Sequence, residues 1–206
     1  MLFDTLALIS LIIIIMLLRR LVNIYPSLLA CIIRWKENVN LESSLKLRTD
    51  RNMLAAATVI PFCLASYRFG LYSPAFIREL GETAGLGTTI GVFASYILLR
   101  NLTAFVAMPR KSGVTAYKTA NAAAGTFFII LVLLLLATGG VLSFFNADQS
   151  VIKTAMIWIS AATYSIFLLR KIQIFASSYN FIAVFLYLCA LEILPTGVLI
   201  VSALIF

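Results

Sequence analysis

Two ionisable side chains, Arg100 and Glu192, lie inside long apolar segments of this sequence. Arg100 stands in "YILLRNLTAF" and Glu192 in "LCALEILP". An unpaired charge at the centre of a bilayer is costly, so an ionisable residue at that depth is a candidate for function. At a helical rise of ~1.5 Å per residue, Arg100 lies slightly past the midpoint of its segment and Glu192 near the midpoint of its own. We therefore expect an ion pair inside a helical bundle.

The chemistry of Arg100 and Glu192 leaves three interpretations open. A buried pair fixes the register of two helices, and removing one partner strands the other charge. Alternatively, the pair forms a polar site for a proton, an ion or a lipid headgroup. In the third interpretation the two side chains do not meet, because Arg100 extends to the membrane surface and Glu192 is protonated.

Pro195 follows Glu192 by three residues. Proline has no N–H and clashes with the carbonyl four residues earlier, so we expect the helix to kink at Leu191, beside the acid. The freed carbonyl then needs another donor. The intramembrane polar site that we predict comprises Arg100, Asn101, Tyr187, Glu192 and Pro195, with Tyr96 and Tyr164 as further polar neighbours.

The composition identifies the class of protein. The 206 residues are 62% hydrophobic and only 12% charged, and the mean hydropathy is +1.04. Several apolar runs are long enough to cross a hydrocarbon core of ~30 Å. Transmembrane barrels show short alternating segments instead, so we predict an all-α, polytopic helical membrane bundle forming a single domain, residues 1–206. The six spans that we predict are residues 2–18, 53–71, 86–108, 119–145, 151–169 and 179–206.

Lysine and arginine are concentrated in alternate connections between these spans. The connection 19–51 carries seven of them, and later connections add Arg110, Lys111, Lys118, Arg170 and Lys171. The opposite connections carry Arg68, Arg78 and Lys153 together with Asp4, Glu79, Glu82 and Asp148. Connections rich in basic residues remain cytoplasmic. We therefore expect a multi-pass membrane protein with both termini outside the cytoplasm.

The connection 19–51 contains an apolar stretch that is too short to span. "LVNIYPSLLACII" lies between Arg19-Arg20 and Arg34-Trp35-Lys36. We predict a cytoplasmic interfacial helix or a shallow re-entrant segment, followed by an amphipathic surface helix in "RWKENVNLESSLKLRTDR". The alternative for this second stretch is a docking platform for a partner. The five flanking residues Arg19, Arg20, Arg34, Trp35 and Lys36 are expected to meet anionic lipid.

Catalytic and metal-binding patterns are missing from the sequence. It has no histidine, which argues against haem with two histidine ligands, HExxH zinc sites and Ser-His catalysis. Its three cysteines have no metal-ligand spacing and read as small apolar residues. No phosphate loop or nucleophile elbow is present. We predict no catalytic residue, cofactor or metal, and the basic charge needs no nucleic-acid partner because anionic lipid explains it.

The terminal stretch also resembles a known family. "FLYLCALEILP", together with "LLRKIQIF" before it, resembles the integral membrane proteins of domain-of-unknown-function family 4271 of Bacteroidota. The resemblance implies an inner-membrane location and no established activity. It also implies that Glu192 is the family's intramembrane acid, with Tyr187, Cys189 and Pro195 matching the same motif.

These observations favour a non-enzymatic protein that is a subunit or accessory factor of a cell-envelope membrane complex. The expected partners are the lipid bilayer and other membrane proteins. The alternative is a small transporter or lipid-handling protein that uses Arg100 and Glu192, and an intramembrane enzyme ranks third.

Overall fold

The computed structural model describes residues 2–72, 74, 77, 80–108 and 114–205, and these residues form helices without any strand. Arg78, Glu79, Arg110, Lys111 and Phe206, which the predicted connections and last span include, lie outside the described residues. The first helices are α1 (Leu2–Ile33), α2 (Trp35–Ser43), α3 (Leu45–Ala57) and α4 (Val59–Arg68). They are followed by α5 (Glu82–Val106), α6 (Val114–Phe144), α7 (Gln149–Ala176), α8 (Phe181–Leu188), a π-helical turn (Cys189–Ile193) and α9 (Leu194–Ile205).

Five helices in the described part are long and apolar enough to cross a membrane. They are Phe3–Ile33, Thr83–Val106, Val114–Phe144, Gln149–Ala176 and Ile182–Ala203. The predicted span 53–71 is not among them, because the helix is interrupted at Thr58 between α3 and α4. The all-helical membrane class is therefore supported, whereas the predicted number of six spans is not confirmed.

The first helix does not end near residue 18 as predicted. α1 continues through Arg19, Arg20 and Pro26 to Ile33, so the apolar stretch after Arg20 is not a separate interfacial element. Arginine is a good helix former, and a pair of charges on an open face does not stop a helix. Ile24, Leu28 and the neighbouring core face of this stretch are buried, which ties it to the bundle.

The helical hairpin of α6 and α7 forms the centre of the bundle. α6 is apolar around its whole circumference, as expected of a helix that crosses a membrane. Ile129, Val132 and Leu135 on it are fully buried. α1 to α4 pack around this hairpin, and α5 packs mainly on α4. The last helix, which runs from α8 through the π-helical turn to α9, contacts both α5 and α7.

Successive connections between the long helices lie at opposite ends of the bundle. One end joins α2 to the beginning of α6 and the end of α7, and we call it the basic end. Arg20 Nη1 donates to Asp50 Oδ1 over 2.8 Å, which links α1 to α3. At the opposite end, the Gln149 side chain donates to the Arg68 carbonyl over 3.3 Å and links α4 to α7.

Two adjacent glycines of α6 have opposite surroundings. A Cβ at Gly139 would lie 2.6 Å from Met156 Cε and 3.1 Å from a ring carbon of Phe69. A Cβ at Gly140 would have no atom within 4 Å. Only Gly139 is therefore required to be small.

We expect Gly139→Val to lower the free energy of unfolding by about 1–3 kcal/mol, because the added methyl groups overpack the contact with buried Met156. Thermal unfolding of the purified protein in detergent would measure this. Gly140→Val is the matched control and should change the midpoint little. Equal midpoints for the two variants would contradict the packing seen at Gly139.

Candidate functional site

A π-helical turn places Glu192 in the interior. The Leu194 N–H bonds to the Cys189 carbonyl, five residues earlier, so the helix widens over Cys189–Ile193. Pro195 follows this turn and is buried. Since proline has no N–H, the helix cannot continue its regular bonding across this point. The helix is therefore irregular beside the acid, where we predicted a kink, and it takes the form of a π-helical turn, which recurs at functional sites.

Arg100 of α5 binds the Glu192 carboxylate with two hydrogen bonds. Its Nη2 donates to Oε1 over 2.6 Å, and its Nε donates to Oε2 over 3.2 Å. This two-point geometry is the strong form of an arginine–carboxylate pair. The predicted contact between Arg100 and Glu192 is present, and it joins α5 to the last helix.

A second cation, Lys171 of α7, completes the cluster. Its Nζ donates to Oε1 of Glu192. The side chains of Lys171, Glu192 and Arg100 are 1%, 2% and 15% exposed, respectively. We call these three residues the Glu192 triad. It joins α5, α7 and the last helix through one carboxylate.

Two aromatic rings flank the Lys171 ammonium. Its Nζ lies 5.6 Å from the ring centroid of Phe167 and 5.8 Å from that of Phe175. These residues are one helical turn before and one turn after Lys171. A cation above a ring face is attracted by the ring quadrupole, and the attraction is stronger away from water. The rings therefore supply part of the stabilisation that burial of the ammonium requires.

The triad contains one more positive than negative charge. Transfer of each charge out of water costs free energy, which a buried pair recovers only with good geometry and further hydrogen bonds. Every hydrogen bond that the structure gives to the Glu192 carboxylate comes from Arg100 or Lys171. The carboxylate therefore links three helices to one another.

Hydroxyl groups extend the polar interior toward α9. The hydroxyls of Tyr96 and Thr196 are 3.0 Å apart and hydrogen-bonded. The Tyr117 hydroxyl donates to the Ala104 carbonyl, which joins α6 to α5. The buried hydroxyl of Tyr164 has no hydrogen-bond partner among the described residues.

Asn101 and Tyr187 lie outside the triad, so the structure does not bring these two predicted residues into contact with the Glu192 carboxylate. Asn101 is exposed and lines a separate pocket at the basic end. Tyr187 stacks on Phe175, with ring centroids 5.8 Å apart, and also meets Tyr179. Burial raises the pKa of Tyr179, and Tyr187 adds to the shift.

Lys171 is the site residue that the sequence prediction missed. We assigned it with Arg170 to a cytoplasmic connection, but α7 continues to Ala176 and carries Lys171 into the interior. The available signal was the placement of Phe167 and Phe175 four residues on either side, on one helical face. Arg170, in contrast, is only half-buried. Its Nη1 donates to the Gln173 side chain and its Nε donates to the Ile32 carbonyl.

The predicted basic cluster does not form one site. Arg20 pairs with Asp50, whereas Arg19 and Arg34 are exposed. Lys36 lies 5.9 Å from the ring centroid of Trp35. These side chains line the basic end singly.

The described residues contain no group of three cysteine, aspartate or glutamate side chains placed to hold a metal ion. Cys31, Cys63 and Cys189 are free. Comparisons with protein-family models, with curated proteins and with solved structures find no match to this chain.

We expect Glu192→Gln to lower the free energy of unfolding by about 3–5 kcal/mol, because it leaves two buried cations without a counter-charge. Thermal unfolding in detergent would measure the loss. Adding Lys171→Met should recover more stability than adding Arg100→Met, since Lys171 is the more deeply buried cation. An unchanged midpoint in Glu192→Gln, or no recovery in either double variant, would contradict the triad as a stabilising unit.

Proposed function

We propose that this chain is a non-enzymatic bacterial inner-membrane protein that is a subunit or accessory factor of a cell-envelope membrane complex. The observation that carries the proposal is the closed Glu192 triad. Lys171 and Glu192 are the two most deeply buried charged side chains of the described residues, and they bond to each other and to Arg100. This arrangement suits a structural link between helices better than a reaction centre. The functional surface would then lie on the outside of the bundle.

One outward face of α5 is suited to contact with a helix of another protein. Ala84, Gly87, Gly91 and Ser95 are exposed on this face. No atom lies within 4 Å of a Cβ placed at Gly87 or Gly91. Small residues three or four apart let another membrane helix approach closely, which is how helices associate where the hydrophobic effect is absent. We call these four residues the small-residue face.

We also propose the finer topology, with six spans and both termini outside the cytoplasm. α3 and α4 together run from Leu45 to Arg68 and lie against α1, which supports a sixth crossing interrupted at Thr58. The charge asymmetry of the connections supports the orientation. Membership of family 4271 of Bacteroidota is part of this proposal and rests on the terminal "LYLCALEILP".

A small transporter or lipid-handling protein is the second candidate. The surplus cation of the Glu192 triad and the unpartnered Tyr164 hydroxyl favour it, since both offer bonds to an anion or a polar solute. Transport of an anion or polar solute by the wild-type chain in proteoliposomes, lost in a folded double variant Glu192→Gln/Lys171→Met, would support this candidate over the subunit. Equal behaviour of the wild type and the folded double variant in this assay would support the subunit.

The proposed topology is expected to appear in cysteine labelling of spheroplasts. In a background without the three native cysteines, Ser43→Cys should be protected from a membrane-impermeant maleimide and Ser150→Cys should be labelled. Cysteines appended at the two termini should both be labelled, because six crossings return the chain to its starting side. Labelling of only one terminus would indicate an odd number of spans.

Purification in mild detergent is expected to retain a stoichiometric membrane partner. Gly87→Leu/Gly91→Leu should lose this partner, because two isobutyl groups prevent close helix approach. Gly140→Leu, which enlarges an outward glycine of α6, is the control and should keep it. A lone protomer from the wild-type chain, or equal retention by both variants, would contradict the proposal.

A further inference from the structure

A polar pocket opens between α2, α3, α5 and α6 at the basic end. Its volume is about 420 Å³. The polar side chains that line it are Glu42, Arg51, Asn52, Asn101, Lys118 and Asn121. The pocket is separate from the Glu192 triad, and nothing in the proposed function uses it.

The charge of this pocket favours an anion. Arg51 and Lys118 against Glu42 leave one net positive charge. Glu42 is already engaged, because its Oε2 accepts from Arg51 Nη1 over 2.8 Å and its Oε1 lies 3.8 Å from Arg48. Lys118 has no ion-pair or hydrogen-bond partner among the described residues, and it is exposed.

Arg51 provides a rigid element of the site. Its side chain is only 4% exposed, and Glu42 and Asn52 hold its guanidinium in place. Three of its five N–H groups make these bonds, which leaves two N–H donors without a described acceptor. A fixed guanidinium and an exposed ammonium in one pocket are a suitable arrangement for the oxygens of a phosphate.

Amide side chains add neutral donors and acceptors. The side-chain amides of Asn101 and Asn121 make no hydrogen bond within the described part of the chain, although both line the pocket. They suit the hydroxyl and ester oxygens of a glycerol-based headgroup. Their presence also gives a role to Asn101 that differs from the intramembrane site predicted from the sequence.

The pocket lies near the ends of α5 and α6. Asn101 lies five residues before the end of α5, and Lys118 four residues after the beginning of α6. At ~1.5 Å per residue, both are within ~8 Å of a helix end. Phe105 lines the pocket, and Leu102 and Val106 beside it are exposed apolar side chains. An acyl chain can lie along this surface while the headgroup occupies the pocket.

We propose that this pocket binds the phosphodiester headgroup of an anionic phospholipid, with Lys118 and Arg51 contacting the phosphate. Basic pockets between membrane helices on the cytoplasmic side bind such headgroups. The inference is independent of whether the chain is a complex subunit or a transporter.

The test is native mass spectrometry of the full-length protein, titrated with phosphatidylglycerol or with phosphatidylcholine of the same acyl chains. Wild type should bind phosphatidylglycerol more tightly. Lys118→Gln should weaken that binding about fivefold, the effect of ~1 kcal/mol per basic residue near the surface. Binding of phosphatidylcholine should not change.

Lys46→Gln is the matched control. It removes one exposed lysine of the basic connection 19–51, but Lys46 does not line this pocket. Its affinity for phosphatidylglycerol should equal that of wild type. Equal losses in the two variants would replace the site with diffuse surface attraction, and equal binding of both lipids by wild type would overturn the proposal.

A further arm distinguishes a lipid from a soluble phosphate. Inorganic phosphate at millimolar concentration should leave the binding of phosphatidylglycerol unchanged, because it lacks the acyl contacts over Leu102 and Phe105. Displacement of the lipid by inorganic phosphate would overturn the lipid assignment. Unfolding midpoints without added lipid should be the same for all three proteins, so a shifted midpoint in Lys118→Gln would instead indicate a structural role.

Discussion

A carboxylate buried in an apolar bundle must find its counter-charges within the protein, and the arrangement of the last helices depends on this constraint. Glu192 bonds to Arg100 of α5 and to Lys171 of α7. Water and lipid tails supply no equivalent partner at that depth. The cost of leaving any one of the three charges alone is therefore what holds α5, α7 and the last helix in register.

The π-helical turn and the aromatic rings are consequences of the same constraint. Pro195 removes one backbone donor, and the wide turn that results lies at Glu192 itself. Phe167 and Phe175 face the Lys171 ammonium, so the second cation is stabilised from its own helix as well as by the carboxylate. The backbone irregularity, the carboxylate and the lysine thus belong to a single unit.

The sequence predicts one half of this unit and not the other. Arg100 and Glu192 stand alone in apolar surroundings, and their depths can be compared by counting residues, so their pairing was predictable. Lys171 adjoins Arg170 and follows an apolar run, which made it look like a membrane-boundary residue. Its burial depends on α7 continuing to Ala176, and helix ends are poorly marked where neither glycine nor proline stops the helix. The end of α1 was misplaced for the same reason, since Arg19 and Arg20 are compatible with an uninterrupted helix.

The Glu192 triad and the pocket at the basic end differ in whether their cations already have partners within the protein. In the Glu192 triad both cations bond to a protein carboxylate, and the Lys171 ammonium also lies against two aromatic rings. At the basic end, Lys118 is exposed and has no described protein partner, while Arg51 in the same pocket keeps two donors without a described acceptor. Cations that already bond within the protein hold its helices together, whereas an exposed cation without a partner attracts an external anion. For this reason the interior centre is better explained by structure, and the peripheral pocket is better explained by binding.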